Sequence, residues 1–130
     1  MPEYKTAGAA CADCYARLVR PFITIPNKAT TLINLGFAIE LPEGYEAVIR
    51  PRSGLSKMGI VVATGTIDAD FRGEVKACIT NNTGGDFDIK NLERICQMKI
   101  QKAERFEFEA VDELSETERG ENGFGSTGNS

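Results

Sequence analysis

The sequence predicts an all-β chain of antiparallel strands, folded as a barrel or a jelly-roll sandwich. Three observations carry that expectation. The β-branched runs are short, clusters of Pro, Gly and Asn interrupt them, and the apolar residues between interruptions alternate with polar ones. Residues 19–25 and 30–35 are two such runs, closed off by Pro26-Asn27 and by Gly36. Phe37, Ile39 and Leu41 then alternate with Ala38 and Glu40, and Pro42-Glu43-Gly44 turns the chain into a further strand over 45–50. Val75, Ala77 and Ile79 alternate with Lys76, Cys78 and Thr80, and residues 81–86 (Asn-Asn-Thr-Gly-Gly-Asp) read as a hairpin loop.

Two segments depart from strand periodicity. Residues 53–58 suit one or two turns of helix. Leu92, Ile95, Cys96, Ile100, Ala103 and Phe106 recur at helical spacing after Asn91, a residue able to cap, so periodicity predicts a helix over 91–103. Phe106 and Phe108 alternate with glutamates, as in a strand.

A chain of 130 residues is one domain with a core of its own. With 42% hydrophobic and 26% charged residues it reads as soluble and globular. The start has no apolar h-region and no run reaches bilayer-spanning length, so the expectation is a cytoplasmic protein without a membrane partner. The net charge is −4, from 15 Lys and Arg against 19 Asp and Glu, and no basic run interrupts it. Long nucleic acid, which is bound through a broad positive surface, is thereby disfavoured. A small anion is not, since a few placed arginines with a divalent cation overcome a modest acidic field. Cys11 and Cys14 form C-x-x-C, but Cys78 and Cys96 are far apart and there is no histidine. A four-ligand zinc site is therefore not expected, nor are disulfides.

Three stretches hold glycine and charge where a plain β core would not. Pro51-Arg52-Ser53-Gly54-Leu55-Ser56 ends a strand with a guanidinium, a hydroxyl and free backbone N–H groups, the elements of a phosphate nest. Gly65-Thr66-Ile67-Asp68-Ala69-Asp70-Phe71-Arg72-Gly73-Glu74-Val75 sets two carboxylates about Ala69; in a hairpin Asp68 and Asp70 share one side, and one of them can deprotonate a water. Residues 119–130 are glycine-rich and on their own expected to be disordered. They nevertheless carry Arg119, Phe124 and the Ser126-Thr127 pair, which suits a flap closing over a base and a phosphate chain.

Taken in order, these stretches resemble the five motifs of the trimeric dUTPase family. Gly8-Ala9-Ala10-Cys11-Ala12-Asp13-Cys14-Tyr15-Ala16 resembles the first motif, with Cys11 and Cys14 in place of its usual glycine and aliphatic residue. Arg52-Ser53-Gly54-Leu55-Ser56 matches the second, residues 65–75 the third, Arg94-Ile95-Cys96-Gln97 resembles the fourth, and residues 119–128 match the fifth. Leu92 and Glu93 stand where that family usually has Gly-Asp, and Asn122 replaces a flap glycine.

The resemblance implies a jelly-roll-like β-clip over residues 1–115 and a flexible flap over 116–130, assembled as a homotrimer with active sites between subunits. It implies hydrolysis of dUTP to dUMP and pyrophosphate, with Asp68 as the base that activates water toward the α-phosphate. Gly65, Thr66, Ile67 and Lys76 belong to the hairpin that reads uracil, and Phe71 replaces a tyrosine whose ring excludes a 2′-hydroxyl. Arg52, Ser53, Gln97, Arg119, Ser126 and Thr127 fall on phosphate-contacting positions, Gly54 and Gly125 are substrate-binding, and Phe124 stacks on the base. Mg²⁺ is expected to ride on the triphosphate, with Asp13 reaching it through water. The resemblance also makes a strand of 94–100 in place of the helix. Two alternatives are a dCTP deaminase-like enzyme, disfavoured by the short chain and by the form of residues 52–56, and a dUTP-sensing regulatory module on the same fold.

Overall fold

Alternation in the sequence becomes alternation of burial wherever a strand has the core on one face only. The computed structural model describes residues 1–128; the last two positions of the expected flap, Asn129 and Ser130, lie outside the described residues. Among the described residues there are nine strands and one short helix. One sheet consists of β1 (Ala12–Tyr15), β4 (Tyr45–Arg50), β6 (Gly65–Ile67) and β9 (Arg94–Lys102), in the order β1-β9-β4-β6. A second pairs β2 (Phe22–Ile25) with β8 (Phe87–Lys90). The third orders β3 (Thr30–Asn34), β7 (Lys76–Asn81) and β5 (Ile60–Val62) as β3-β7-β5. Every pairing is antiparallel, as expected. The sheets are open, however, and the described residues close no barrel.

β7 shows how the pattern works. Ala77, Ile79 and Asn81 point inward and are fully buried, while Lys76, Cys78 and Thr80 face outward. Ile25, Ile33, Ile60, Ile89 and Ile95 meet Ile79 in the core; complete burial of such a side chain contributes about 1.5–3 kcal/mol. Asn81 is the one polar residue among these buried side chains and its amide is fully used. Its Nδ2 donates to the carbonyls of Ile25 (2.8 Å) and Gly85 (2.7 Å), and its Oδ1 accepts the Thr83 N–H (2.9 Å). This amide ties the end of β2 to the loop after β7.

Several local expectations are corrected. Residues 81–86 do form a loop, but not a hairpin, because β7 and β8 belong to different sheets. Residues 64–76 likewise do not pair with themselves: β6 lies on β4, while β7 lies between β3 and β5. Residues 37–41 keep the predicted alternation, with Leu41 buried and Glu40 exposed, yet make no strand ladder among the described residues. Phe106 and Phe108 are exposed and belong to no strand.

The helical spacing of residues 91–103 is overturned in favour of β9. β9 is an inner strand, paired with β1 on one side and β4 on the other, and consecutive Ile95 and Cys96 are both buried. The β1–β9 register shifts between Cys14 and Tyr15, which leaves Ile95 as the extra residue of a bulge; this doublet breaks the period-two alternation that Cys96 and Met98 then resume, and what remained resembled a helix. Leu92 enters this strand through a left-handed turn, at φ +66. The short helix is present as α1 (Ser53–Lys57), with Leu55 as its buried residue. Gly59 stops it at φ +95, where a Cβ would stand 2.7 Å from the Asn82 carbonyl oxygen. No helix among the described residues is long and apolar enough to cross a membrane.

Candidate active site

Gly65 lies opposite Ile49 on β4, and after buried Ile67 the chain leaves that ladder. It turns at once, with the Phe71 N–H donating to the Asp68 carbonyl at 3.1 Å. Asp68 and Asp70 therefore sit on a turn rather than along one side of a hairpin; both are exposed. Arg72 fastens the turn: Nη1 donates to the carbonyls of Ala69 (2.7 Å) and Phe71 (3.3 Å), and Nη2 lies 3.4 Å from the Glu40 carboxylate. Glu74 then accepts the Gly36 N–H at 3.1 Å, and buried Val75 exchanges backbone hydrogen bonds with Leu35 and Phe37.

The result is a cavity of about 320 Å³ lined by Gly65, Thr66, Ile67, Asp68, Phe71 and Lys76, with walls completed by Ile49, Glu74 and Val75. That is the lower end of small-molecule pocket sizes. Asp68 also borders a wider cleft of about 990 Å³, together with Tyr45, Asp70, Arg72 and Arg105. An exposed carboxylate at the rim of both spaces is placed to take a proton from a water beside a bound molecule.

A second group forms where β1, β9 and the start of α1 meet. Asp13 lies opposite Gln97 in the β1–β9 register. One carboxylate oxygen of Asp13 is 3.0 Å from Arg94 Nη1, and the other is 3.5 Å from Arg52 Nε. Arg52 Nη1 donates to the Arg94 carbonyl (2.9 Å), and Gln97 Nε2 to the Pro51 carbonyl (2.8 Å). Two guanidiniums against one carboxylate leave a net positive patch on an acidic protein, with Arg52 Nη2 still available as a donor. Such fixed, paired arginines are suited to phosphate oxygens. Ser53 is exposed beside them, at the helix start where N–H groups have no intrahelical partner. A Cβ on Gly54 would meet nothing within 4 Å and the backbone there is not left-handed, so nothing in this chain requires that glycine.

The third group stands apart. Arg119 Nε donates to the Asn122 carbonyl (2.8 Å), and Ser126 and Gly128 close turns on Gly123 and Gly125. Gly125 has φ +86, Phe124, at φ +50, is fully exposed, and Thr127 is exposed. Among the described residues, the last backbone hydrogen bond to the strands is Ala103 N–H to Gly44, and nothing from 104 to 128 is buried. Within this chain the small cavity is lined by neither the arginine cluster nor the tail. Sequence reasoning had singled out neither Arg94 nor Ile49 nor Glu74 as a site residue. Arg94 lies within the fourth motif, but its partner Asp13 is distant in sequence and becomes adjacent only through the β1–β9 register.

The four cysteines carry free thiols. Cys14 and Cys96 are cross-strand partners, both fully buried. A hydrogen bond shared with Cys14, reinforced by burial, pushes the Cys96 thiol well above the ordinary range. Among the described residues no three His, Cys, Asp or Glu side chains cluster as metal ligands do.

Open antiparallel sheets carrying a glycine-framed cavity, a rim carboxylate and an arginine pair define a β domain built to hold a small phosphorylated ligand. The dUTPase family model matches residues 1–128, and the chain belongs to that family. It is 50% identical to the deoxyuridine 5'-triphosphate nucleotidohydrolase of Orientia tsutsugamushi (strain Boryong), over 98% of this chain and 88% of the relative. Its fold is similar to that of the Staphylococcus bacteriophage 80alpha dUTPase with dUPNHPP, at TM-score 0.90 and 28% identity, covering 98% of this chain and 91% of the phage chain. The phage phi11 dUTPase of S. aureus, described with a structural Mg(II) ion, shares the fold at TM-score 0.80 and 23% identity, covering 89% of this chain and 92% of that one.

Proposed function

We propose that Asp68 is the general base with which this chain hydrolyses dUTP to dUMP and pyrophosphate. The observation that carries the assignment is the exposed Asp68 carboxylate on the rim of the cavity framed by Gly65, Thr66, Ile67, Phe71 and Lys76. Membership of the dUTPase family and half-identity to a deoxyuridine 5'-triphosphate nucleotidohydrolase give the substrate. A water held by Asp68 attacks the α-phosphorus and its proton passes to the carboxylate. The bond from the α-phosphorus to the bridging oxygen breaks, and pyrophosphate leaves with that electron pair.

Uracil is read by backbone N–H and C=O groups of residues 64–76. Cytosine presents the opposite donor and acceptor there and would leave buried groups unpaired, which makes rejection strong. Phe71 supplies a flat face to the deoxyribose. Arg52, Ser53, Gly54 and Gln97 meet the phosphates, supported by the fixing of Arg52 and Gln97 through Asp13, Arg94 and Pro51.

Mg²⁺ fits these residues as a cation brought by the triphosphate, since the acid nearest the arginines, Asp13, is already engaged by two guanidiniums. When bound, it neutralises phosphate charge, and Asp13 would face its water shell.

Residues 116–130 act as a flap. Arg119, Gly125, Ser126 and Thr127 meet phosphate and Phe124 stacks on the base, in a site of a neighbouring subunit of a homotrimer. The isolation of the tail from its own strands supports this, as does Gly54, whose lack of a side chain answers to nothing within the chain.

Pyrophosphate release from dUTP, dCTP and UTP, each with and without Mg²⁺, tests the substrate. Asp68→Asn tests the base: turnover should fall about 10²–10⁴-fold, while a non-hydrolysable dUTP analogue still binds. Activity within about threefold of the parent would remove Asp68 from that role.

A further inference from the structure

Gly73 lies two residues beyond Phe71. A Cβ built on it would stand 2.6 Å from Cζ of the Phe71 ring, 3.0 Å from Cε2 and 3.3 Å from Cε1. Carbon atoms pack at about 3.5–4.0 Å, so a methyl group and the ring cannot both occupy this space. The three nearest atoms all belong to that one ring, and the Gly73 backbone is not in the left-handed region. Neither chain conformation nor core packing asks for glycine here. The nearest obstacle to a side chain is the aromatic ring.

Of the two parties, the backbone is the one held fast. Arg72 ties the carbonyls of Ala69 and Phe71 on one side of Gly73; on the other, Glu74 accepts the Gly36 N–H and Val75 is buried. The ring is the far end of a side chain, 44% exposed, and forms part of the cavity wall. A substituent on Gly73 therefore moves the ring and leaves the fold in place.

We infer that Gly73 is a positioning residue that determines sugar specificity: its bare backbone is the seat on which the Phe71 ring lies, and that seat fixes the cavity wall facing the sugar. The inference rests on the reading of Phe71 as the group that excludes a 2′-hydroxyl. Clearing a methyl requires the ring tip to shift by about 1 Å, the difference between 2.6 Å and ordinary carbon contact. A misfit of about one methylene in a pocket changes discrimination by roughly 10–200-fold.

The test compares kcat/KM for dUTP and UTP in the parent, Gly73→Ala, Phe71→Ala and the double variant, with thermal unfolding of each. Gly73→Ala should unfold within about 2 °C of the parent, as surface changes do, while the dUTP-to-UTP ratio drops about tenfold, the low end of a methylene misfit. In the Phe71→Ala background the same change at Gly73 should have no further effect on the ratio, because the ring through which it acts is gone. A ratio retained in Gly73→Ala but lost in Phe71→Ala overturns the role of Gly73 alone. A ratio retained in Phe71→Ala removes the reading of Phe71 and the inference with it. An equal effect of Gly73→Ala in both backgrounds, or failure of that variant to fold, also overturns it, since both contradict a ring that gives way.

Discussion

Deleting residues 119–130 separates the contribution of the tail to stability from its contribution to catalysis. None of the described tail residues is buried, and their hydrogen bonds run to one another (Arg119 to Asn122, Ser126 to Gly123, Gly128 to Gly125) or, from the Gly120 N–H, to neighbouring exposed Thr117. Removing surface of this kind changes stability by no more than about 0.5 kcal/mol, so the melting temperature should move by less than about 2 °C for a domain of this size. On the proposed roles, catalysis should lose the Phe124 stack, worth about 1–3 kcal/mol, and the Arg119 charge-assisted bonds, about 1.5–3 kcal/mol. Ordering a glycine-rich segment offsets part of that, so the lower sum of about 2.5 kcal/mol is the better guide, a loss of roughly fifty- to one-hundredfold in kcat/KM. Tail-deleted chains are then unfolded and refolded with Asp68→Asn chains in equal amounts and assayed for pyrophosphate release. If each site takes Asp68 from one subunit and the tail from another, about one quarter of sites receive both intact parts. A truncated protein of full activity, or a mixture as inactive as its components, would refute the reasoning.

Three further outcomes follow from local structure. Asn81→Leu leaves the Thr83 N–H without its partner and cuts the tie to the Ile25 carbonyl, which keeps its ladder bond to Phe87, while Gly85 keeps its bond from the Thr83 hydroxyl. The loss should be about 1–3 kcal/mol in urea unfolding, the desolvation penalty of one unsatisfied donor; a loss under about 0.5 kcal/mol would show that the cross-link is not needed. Thiol titration of the native protein should give two reactive cysteines, the part-exposed Cys11 and Cys78, with Cys14 and Cys96 reacting only on unfolding. Because the Cys96 thiol is pushed up, deprotonation is disfavoured and raising the pH to about 9 should not release it; four fast thiols would contradict the buried pair. Leu92, exposed at φ +66, bears a left-handed cost of about 1–2 kcal/mol. Leu92→Gly removes it at about 0.5–1 kcal/mol of extra unfolded-chain entropy, so the melting temperature should rise by about 2 °C; Leu92→Val should lower it.

What could be read in advance was whatever is written in neighbouring residues. The alternation of β7, the turn at 42–44, the one-turn helix ended by Gly59 and the antiparallel character of the sheets all depend on a few consecutive side chains. The failures have a common cause. A hairpin over 64–76 was a statement about which strands pair, and pairing is decided across the whole chain: β6 goes to β4, and β7 to β3 and β5. The helix over 91–103 failed because a bulge opposite Cys14 and Tyr15 buries Ile95 and Cys96 together, and that bulge is set by the pairing of β9 with β1.

The same division runs through the site. Asp68, Phe71 and Arg52 stand in local signatures that name their chemistry, but their supports do not. Asp13 with Arg94, Arg72 with Glu40, and Glu74 with the Gly36 N–H each join elements far apart in sequence. A catalytic group in this chain is short-range information, whereas its orientation is long-range information held in strand register. The tail extends the argument beyond one chain. Its composition announces an aromatic and an arginine on a glycine hinge, yet in its own fold it touches neither the cavity nor the arginine pair. The proposed closure over a site built by another copy would complete that chemistry, which is why the mixed-subunit experiment carries more weight than any single substitution.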